Sequence, residues 1–250
     1  MIAFVGAGPG DVDLITVKGR KLIEEADVII YAGSLVDPAH LDFAKEGARF
    51  FNSATMHLDE VLKIMRIADS RKEKVVRLHT GDPSVYGAIQ EQMDALKEMG
   101  ISYEVVPGVS SFSAAAASIE RELTLPGVSQ TVILTRKAGR TPVPEKESIP
   151  SLAAHRATMC IFLSAGQIPS LVEDLLTSYE PTTPIAVVYK ASWEDEKIVR
   201  STLEHVVEDV KAEGITKHAQ ILVGDFLNGD YEKSKLYDKH FTTDFRKGIQ

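Results

Sequence analysis

Short apolar runs alternate with stretches of helical spacing along the first half of the chain. Ile2-Ala3-Phe4-Val5, Val28-Ile29-Ile30-Tyr31 and Val75-Val76-Arg77-Leu78 have the length of strands covered on both faces, and residues 103–106 form a fourth. Between them, residues 16–26, 58–68 and 88–99 repeat apolar positions at helical intervals, as at Leu58, Val61, Leu62 and Met65 or at Ile89, Met93, Leu96 and Met99. The alanine-rich stretch 112–119 adds a further helix. Such alternation predicts the α/β class, with a parallel sheet and right-handed crossovers.

The predicted strands end in small residues: at Gly6, at Ala32-Gly33-Ser34, at Gly81 and at Gly108. In a parallel sheet these four turns share one edge, where open α/β sheets bind ligands. The third turn, in LHTGDPSVYG (residues 78–87), is the centre of the pattern. Gly81 permits an unusual backbone or a close approach. Asp82 precedes Pro83 and is therefore held extended. A carboxylate fixed there is placed to bind an amine or a hydroxyl. The same residues also read as a helix entry, with Asp82 or Ser84 as cap and Pro83 in the first turn.

Leu125-Pro126-Gly127 breaks the alternation and divides the chain into an α/β domain of residues 1–120 and a second of residues 121–250. Strands are expected at 131–135, 158–163, 185–189 and 220–223, and helices at 168–176 and 206–213. Residues 136–150 form a long polar loop with three prolines, a length that marks a functional or mobile segment. Beyond Gly229 there is no periodicity, which predicts an arm or a disordered tail.

Charge narrows the partners. A net charge of -8 argues against general affinity for nucleic acid or an anionic membrane. No apolar run approaches the ~20 residues of a membrane span. Met1 leads straight into a strand and a glycine turn, so no signal peptide is expected and the chain reads as soluble and cytoplasmic. The single cysteine, Cys160, sits in an apolar run as a core residue.

The glycine turns do not suit a phosphate. The dinucleotide fingerprint needs glycine at position 11, where this chain has Asp11, and Pro9 lies inside the turn. No G-K-[ST] follows any glycine turn, so a P-loop is absent as well. A ligand with an amino-acid end and a cationic centre but no phosphate, such as S-adenosylmethionine, fits better.

The opening VGAGPGDVDLITVKG, the central LHTGDPSVYG and EVVPGVSSFSAAAASI resemble, in order and spacing, three motifs of the tetrapyrrole methyltransferase family. With the later strands the resemblance extends to about Gly229. YAGSLV, LTLPGVSQTVILTR and VVYKASWEDEKIVRSTL resemble the branch that methylates precorrin-4 or cobalt-precorrin-4 at C11, in cobalamin biosynthesis. The resemblance implies two α/β domains with the cofactor in the cleft between them, and a homodimer. It implies S-adenosylmethionine as cofactor, S-adenosylhomocysteine as product and a tetrapyrrole substrate. Carried over by motif, Pro9, Thr80, Gly81, Asp82, Val85, Ser110 and Ser111 bind the cofactor from the first domain, and Ser164, Ala191 and Ala219 from the second. Ser164 and Ala191 stand where relatives of the sirohaem branch have methionine and glycine.

Methyl transfer from a sulfonium is an in-line displacement, so the chain need supply no nucleophile; catalysis rests on alignment in a dry site. Asp37, just past the second strand, is the candidate to steer a pyrrole nitrogen or take a proton, while His79 reads as structural. An acidic protein that binds a polycarboxylate needs local cations. Arg136, Lys137 and Arg140 are the densest cluster, with Lys190 next. Other classes remain open: methylation of a sirohaem precursor, of a diphthamide intermediate or of an rRNA ribose on the same fold, or a regulator that binds the cofactor without turnover.

Overall fold

The computed structural model of the chain describes every residue except Ser34 and Gln250. Ser34, named above in the second turn, lies outside the described residues. The chain divides into two compact units, Met1–Ser118 with Lys190–Lys197, and Ile119–Tyr189 with Ile198–Gln250. The segment Lys190–Lys197 thus belongs with the first unit, although sequence order places it well inside residues 121–250.

The first unit holds strands β1 (Ile2–Gly6), β2 (Val28–Tyr31), β3 (Arg49–Asn52), β4 (Val75–His79) and β5 (Tyr103–Val106), with helices α1 (Val17–Glu25), α2 (Leu58–Ser70), α3 (Gln90–Glu98) and α4 (Ser111–Ser118). The sheet runs β3-β2-β4-β1-β5, all parallel. Side chains alternate between its faces. Ile2, Phe4, Val28, Ile30 and Val75 join Val61, Met65 and Leu96 in one cluster; Ala3, Val5, Ile29, Val76 and Leu78 join Ile23 in another. Burial on both faces is why β1, β2 and β4 read as unbroken apolar runs. Thr16 caps α1, its Oγ1 accepting from Gly19 N at 3.1 Å.

Two polar residues enter this core from β4, on the same side of the strand. Arg77 is 7% exposed and His79 is 4% exposed. Burial, with Arg77 close by, pushes the His79 imidazole down to about 3. Its Nε2 has no hydrogen-bond partner among the described residues.

The second unit is mixed: β6 (Val132–Arg136), β7 (Thr158–Phe162), β8 (Pro184–Tyr189), β9 (Lys197–Thr202) and β10 (Ala219–Val223), ordered β6-β7-β10-β8-β9. Here β6 and β7 are parallel, whereas β10 runs antiparallel to both β7 and β8. Helices α5 (Ile149–Ala153), α6 (Ile168–Leu175) and α7 (Val206–Ala212) pack through Ile149, Leu171, Leu175, Val206 and Val210. They bury Met159 and Ile161 of β7 with Val187 and Ile221. Cys160 is fully buried on β7, where desolvation pushes its thiol up to about 12, beyond useful nucleophilicity.

Four elements differ from the sequence expectation. β3 and β9 lie at sheet edges with mostly exposed side chains, so their apolar content is too low to announce a strand. α5 is a five-residue helix entered through Pro150 at the end of the polar loop. α3 begins at Gln90 rather than at residue 88, because Tyr86 (φ 56°) and Ala88 (φ 49°) are left-handed. Beyond Gly229 the chain forms a 3-10 turn, Lys235–Tyr237, and is otherwise irregular and largely exposed.

The His79 environment predicts an acid-sensitive fold. The unfolded imidazole takes a proton below its ordinary 6.5, the folded one only near 3, so the unfolded state binds more protons in that window. Stability therefore falls as pH drops from about 6.5, by about 1.4 kcal/mol per unit at most from this group. Urea unfolding from about pH 4 to about pH 8, which covers the upper part of this window and the plateau above it, should show that slope at the acid end in the wild type and a shallower one in His79→Leu.

Candidate functional site

Strands β4, β1 and β5 are neighbours, so their carboxyl-terminal turns stand side by side. They are joined through glycine backbone. A Cβ on Gly6 would lie 2.5 Å from the Gly81 carbonyl oxygen and 2.7 Å from Gly108 Cα; one on Gly108 would lie 2.8 Å from Gly6 Cα. No real side chain tolerates such distances, so these positions admit glycine alone. Gly8 and Gly81 exchange backbone hydrogen bonds, Gly81 N to Gly8 O at 2.7 Å and Gly8 N to Gly81 O at 3.3 Å. Both are left-handed, at φ 85° and 60°.

Asp82 fastens the junction. Its Oδ2 accepts from Gly108 N at 2.9 Å, and its Oδ1 accepts from Ser84 N at 2.8 Å and from Ser84 Oγ. Burial works to raise its pKa, but these three donors outweigh it and hold the carboxyl below the usual value. Asp82 therefore joins two motifs and caps its own turn at once. Thr80 Oγ1 donates to Leu35 O, tying the third turn to the chain after β2. Val85 N donates to Asp82 O at 3.2 Å, and Ser110 O accepts from Ser113 N and Ala114 N at the start of α4, which begins with Ser111.

The segment Lys190–Lys197 completes the first turn. Trp193 Nε1 donates to Pro9 O at 2.9 Å, and its indole occupies the space a Cβ on Gly10 would need, with Cγ 2.8 Å from it. Ser192 Oγ accepts from Asp11 N at 3.1 Å. Glu196 in turn accepts from Ser192 N and from Ser118 Oγ, both at 2.7 Å. His40, 1% exposed, donates from Nε2 to Ala7 O at 2.9 Å. His40 stands in no motif, and although Trp193 lies within the stretch VVYKASWEDEKIVRSTL, nothing in the sequence marks either residue as holding this turn.

The remaining candidates fall into defined roles. Ala191, expected from the second domain, is buried within the Lys190–Lys197 segment and so belongs to the first unit. Ser164 is fully buried in the second unit; its Oγ donates to Phe162 O at 2.7 Å and accepts from Lys137 N at 2.9 Å. Ala219 opens β10 opposite Tyr189. Asp37 caps the 3-10 helix Pro38–Phe43, its Oδ1 accepting from Ala39 N at 2.9 Å. Arg136 donates to three carbonyls of its own loop, of Lys137, Thr141 and Pro142. Lys137 is paired with Asp174, and Lys190 with Asp195 at 2.6 Å, its ammonium 4.9 Å from the Trp193 ring centre. Arg140 is exposed and makes no hydrogen bond or ion pair among the described residues.

The first turn does not lead into a helix that could receive a pyrophosphate. Asp11 caps the 3-10 turn Val12–Leu14 instead, and α1 starts only at Val17. The three joined turns contain Asp11 and Asp82 but no lysine or arginine, a set suited to a cationic ligand.

A family model of tetrapyrrole (corrin/porphyrin) methylases matches residues 1–207. The chain belongs to that family. It is 57% identical to a cobalt-precorrin-4 C(11)-methyltransferase of Methanocaldococcus jannaschii over 98% of this chain and 96% of that one. The solved structure of a cobalt precorrin-4 methyltransferase, a cobalamin biosynthetic enzyme, matches with a TM-score of 0.89 and 48% identity, over 91% of this chain and 95% of that one. A uroporphyrin-III C-methyltransferase of Thermus thermophilus, solved with S-adenyl homocysteine, matches with a TM-score of 0.73 and 27% identity over 90% and 98%. No helix among the described residues of this methylase is long and apolar enough to cross a membrane.

The glycine junction sets the first site prediction. Gly108→Ala should lose more than about 2 kcal/mol of stability, since backbone rather than a side chain must move. Gly229→Ala, where nothing lies within 4 Å, should stay within about 0.5 kcal/mol. Thermal or urea unfolding of the two variants checks the contrast.

Proposed function

We propose that this chain methylates C11 of cobalt-precorrin-4 with S-adenosylmethionine, a step of cobalamin biosynthesis. The junction of Gly6, Gly81 and Gly108 carries the reading: backbone drawn too close for any Cβ, with carboxylates and no cation, fits a ligand bearing ammonium and sulfonium groups and no phosphate. The relative from M. jannaschii and the solved methyltransferase, both with cobalt in their names, support the metal-containing substrate over the metal-free one.

S-adenosylmethionine, when bound, supplies an activated methyl group. Pro9, Thr80, Gly81, Asp82, Val85, Ser110, Ser111, Ser164, Ala191 and Ala219 are the residues that would hold it. Because the Asp82 carboxylate already takes three donors, its part is to hold the turns in register and to bring negative charge nearby. Asp37, capping its own turn, remains the candidate for a pyrrole nitrogen.

The substrate's carboxylates call for a cation on this acidic chain. Arg136 and Lys137 shape their loop from within, which leaves Arg140, of the three candidates, as the one presented to a ligand. Purified protein given S-adenosylmethionine with cobalt-precorrin-4 should yield a product heavier by one methyl group, located at C11 by NMR; an unmethylated macrocycle, or methylation elsewhere, overturns the reading. Arg140→Glu should raise KM for the tetrapyrrole about three- to tenfold with cofactor affinity unchanged, an effect that salt mimics in the wild type.

The chain acts as a homodimer in a cytoplasmic pathway on this reading. Light scattering at micromolar concentration should give twice the chain mass of 27.4 kDa, and the single-chain mass would contradict the dimer.

A further inference from the structure

The loop between β4 and α3 holds two left-handed residues that are not glycine. Tyr86 has φ 56° and Ala88 has φ 49°. For a bulky side chain such a backbone is uncommon and costs energy that surrounding structure must supply. Burial of the tyrosine does not supply it, because the residue is 46% exposed. The one glycine of the trio, Gly87, serves space instead: a Cβ there would lie 2.9 Å from the Pro83 carbonyl carbon. The loop is folded hard onto itself, and the residue left at its strained, open position is aromatic.

A second observation lies beneath the loop. Arg77 on β4 is 7% exposed and has no carboxylate partner among the described residues. Its Nε donates to Gln92 Oε1 at 3.3 Å and its Nη1 to Ile30 O at 3.3 Å. Gln92, 5% exposed on α3, passes the contact on: its Nε2 donates to Ala88 O at 2.9 Å. Stability alone would place apolar side chains at both positions, since a buried guanidinium without a counter-ion is unfavourable. What the pair secures is the carbonyl of the second left-handed residue, and hence the direction of the loop.

We infer that Tyr86 is a substrate contact that helps determine specificity, presented to the tetrapyrrole by a strained loop, with Arg77 and Gln92 as positioning residues. This rests on the tetrapyrrole reading given above. The broad apolar face of a tetrapyrrole, with its carboxylates at the rim, can pack against a tyrosine ring. The ring stands four residues past Asp82 and half open, whereas the turns assigned to the smaller cofactor are drawn together at the glycine junction.

Tyr86→Gly removes the ring and relieves the backbone, so it should still fold cooperatively, which urea unfolding checks. Its KM for the tetrapyrrole should rise about tenfold, with kcat within about threefold and the Kd for S-adenosylhomocysteine within about twofold. Tyr86→Phe should recover most of the loss. Gln92→Met, which keeps the volume but frees Ala88 O, should shift KM in the same direction with the cofactor Kd unmoved. An unchanged KM in folded Tyr86→Gly overturns the inference. So does a weakened cofactor Kd that accounts for the KM, which would make Tyr86 a cofactor contact. If the wild type methylates no tetrapyrrole, the proposed function falls and this contact falls with it; an active wild type beside an unaltered Tyr86→Gly removes the contact alone.

Discussion

The carbonyl oxygen of Gly81 occupies the space into which a Cβ on Gly6 or Gly108 would project, and much of the first unit is arranged around that crowding. Three turns that leave the sheet from adjacent strands are drawn together until backbone touches backbone. Close approach of this kind needs glycine at the contact, a left-handed backbone at Gly8 and Gly81, and partners for every polar group brought out of water. Asp82 supplies one such partner to Gly108 N, and the reciprocal bonds between Gly8 and Gly81 supply two more. The low pKa of Asp82 is the electrostatic trace of the same arrangement: a carboxylate already held by N–H and O–H donors has little reason to take a proton.

Around the junction lies a second set of contacts of a different character. His40, Ser192 and Trp193 reach the first turn from distant parts of the chain and satisfy the backbone of Ala7, Pro9 and Asp11, while Glu196 holds Ser192 from behind. They immobilise the turn without occupying the glycine junction. On the proposed site, a methyltransferase that relies on alignment rather than on a nucleophile profits from this division, because a displacement of the turns would misplace the reacting groups. The buried cation at Arg77 and the left-handed loop it supports extend the same principle to the far side of the third turn.

The second unit shows where a basic cluster in sequence is not a basic patch in space. Arg136, Lys137 and Arg140 are near neighbours along the chain, yet their charges go three ways. Arg136 turns back onto the carbonyls of its own loop, Lys137 pairs with Asp174, and Arg140 alone faces water. Spacing gave equal weight to all three, since nothing local distinguishes a cation that builds a loop from one that the loop displays. Lys190 follows the same rule through Asp195 and Trp193.

Sequence by itself determined the parallel α/β character of the first unit, its strand ends and the family. The reasons are local: β1, β2 and β4 are buried on both faces and so are apolar throughout, and glycine is compulsory wherever backbones meet. Edge strands β3 and β9 escaped because half-exposed strands need no such pattern. Tertiary structure alone decided that Asp82 holds its own turn and links two motifs rather than capping a helix, because α3 begins only at Gln90; its neighbours in sequence left that question even. It also decided that Ala191 belongs with the first unit, that α3 waits until Gln90, and that one tryptophan closes over Gly10. Each depends on groups brought together from tens of residues apart or on a backbone angle, and neither a distant partner nor a left-handed turn at Tyr86 leaves a mark in the periodicity of hydrophobic positions.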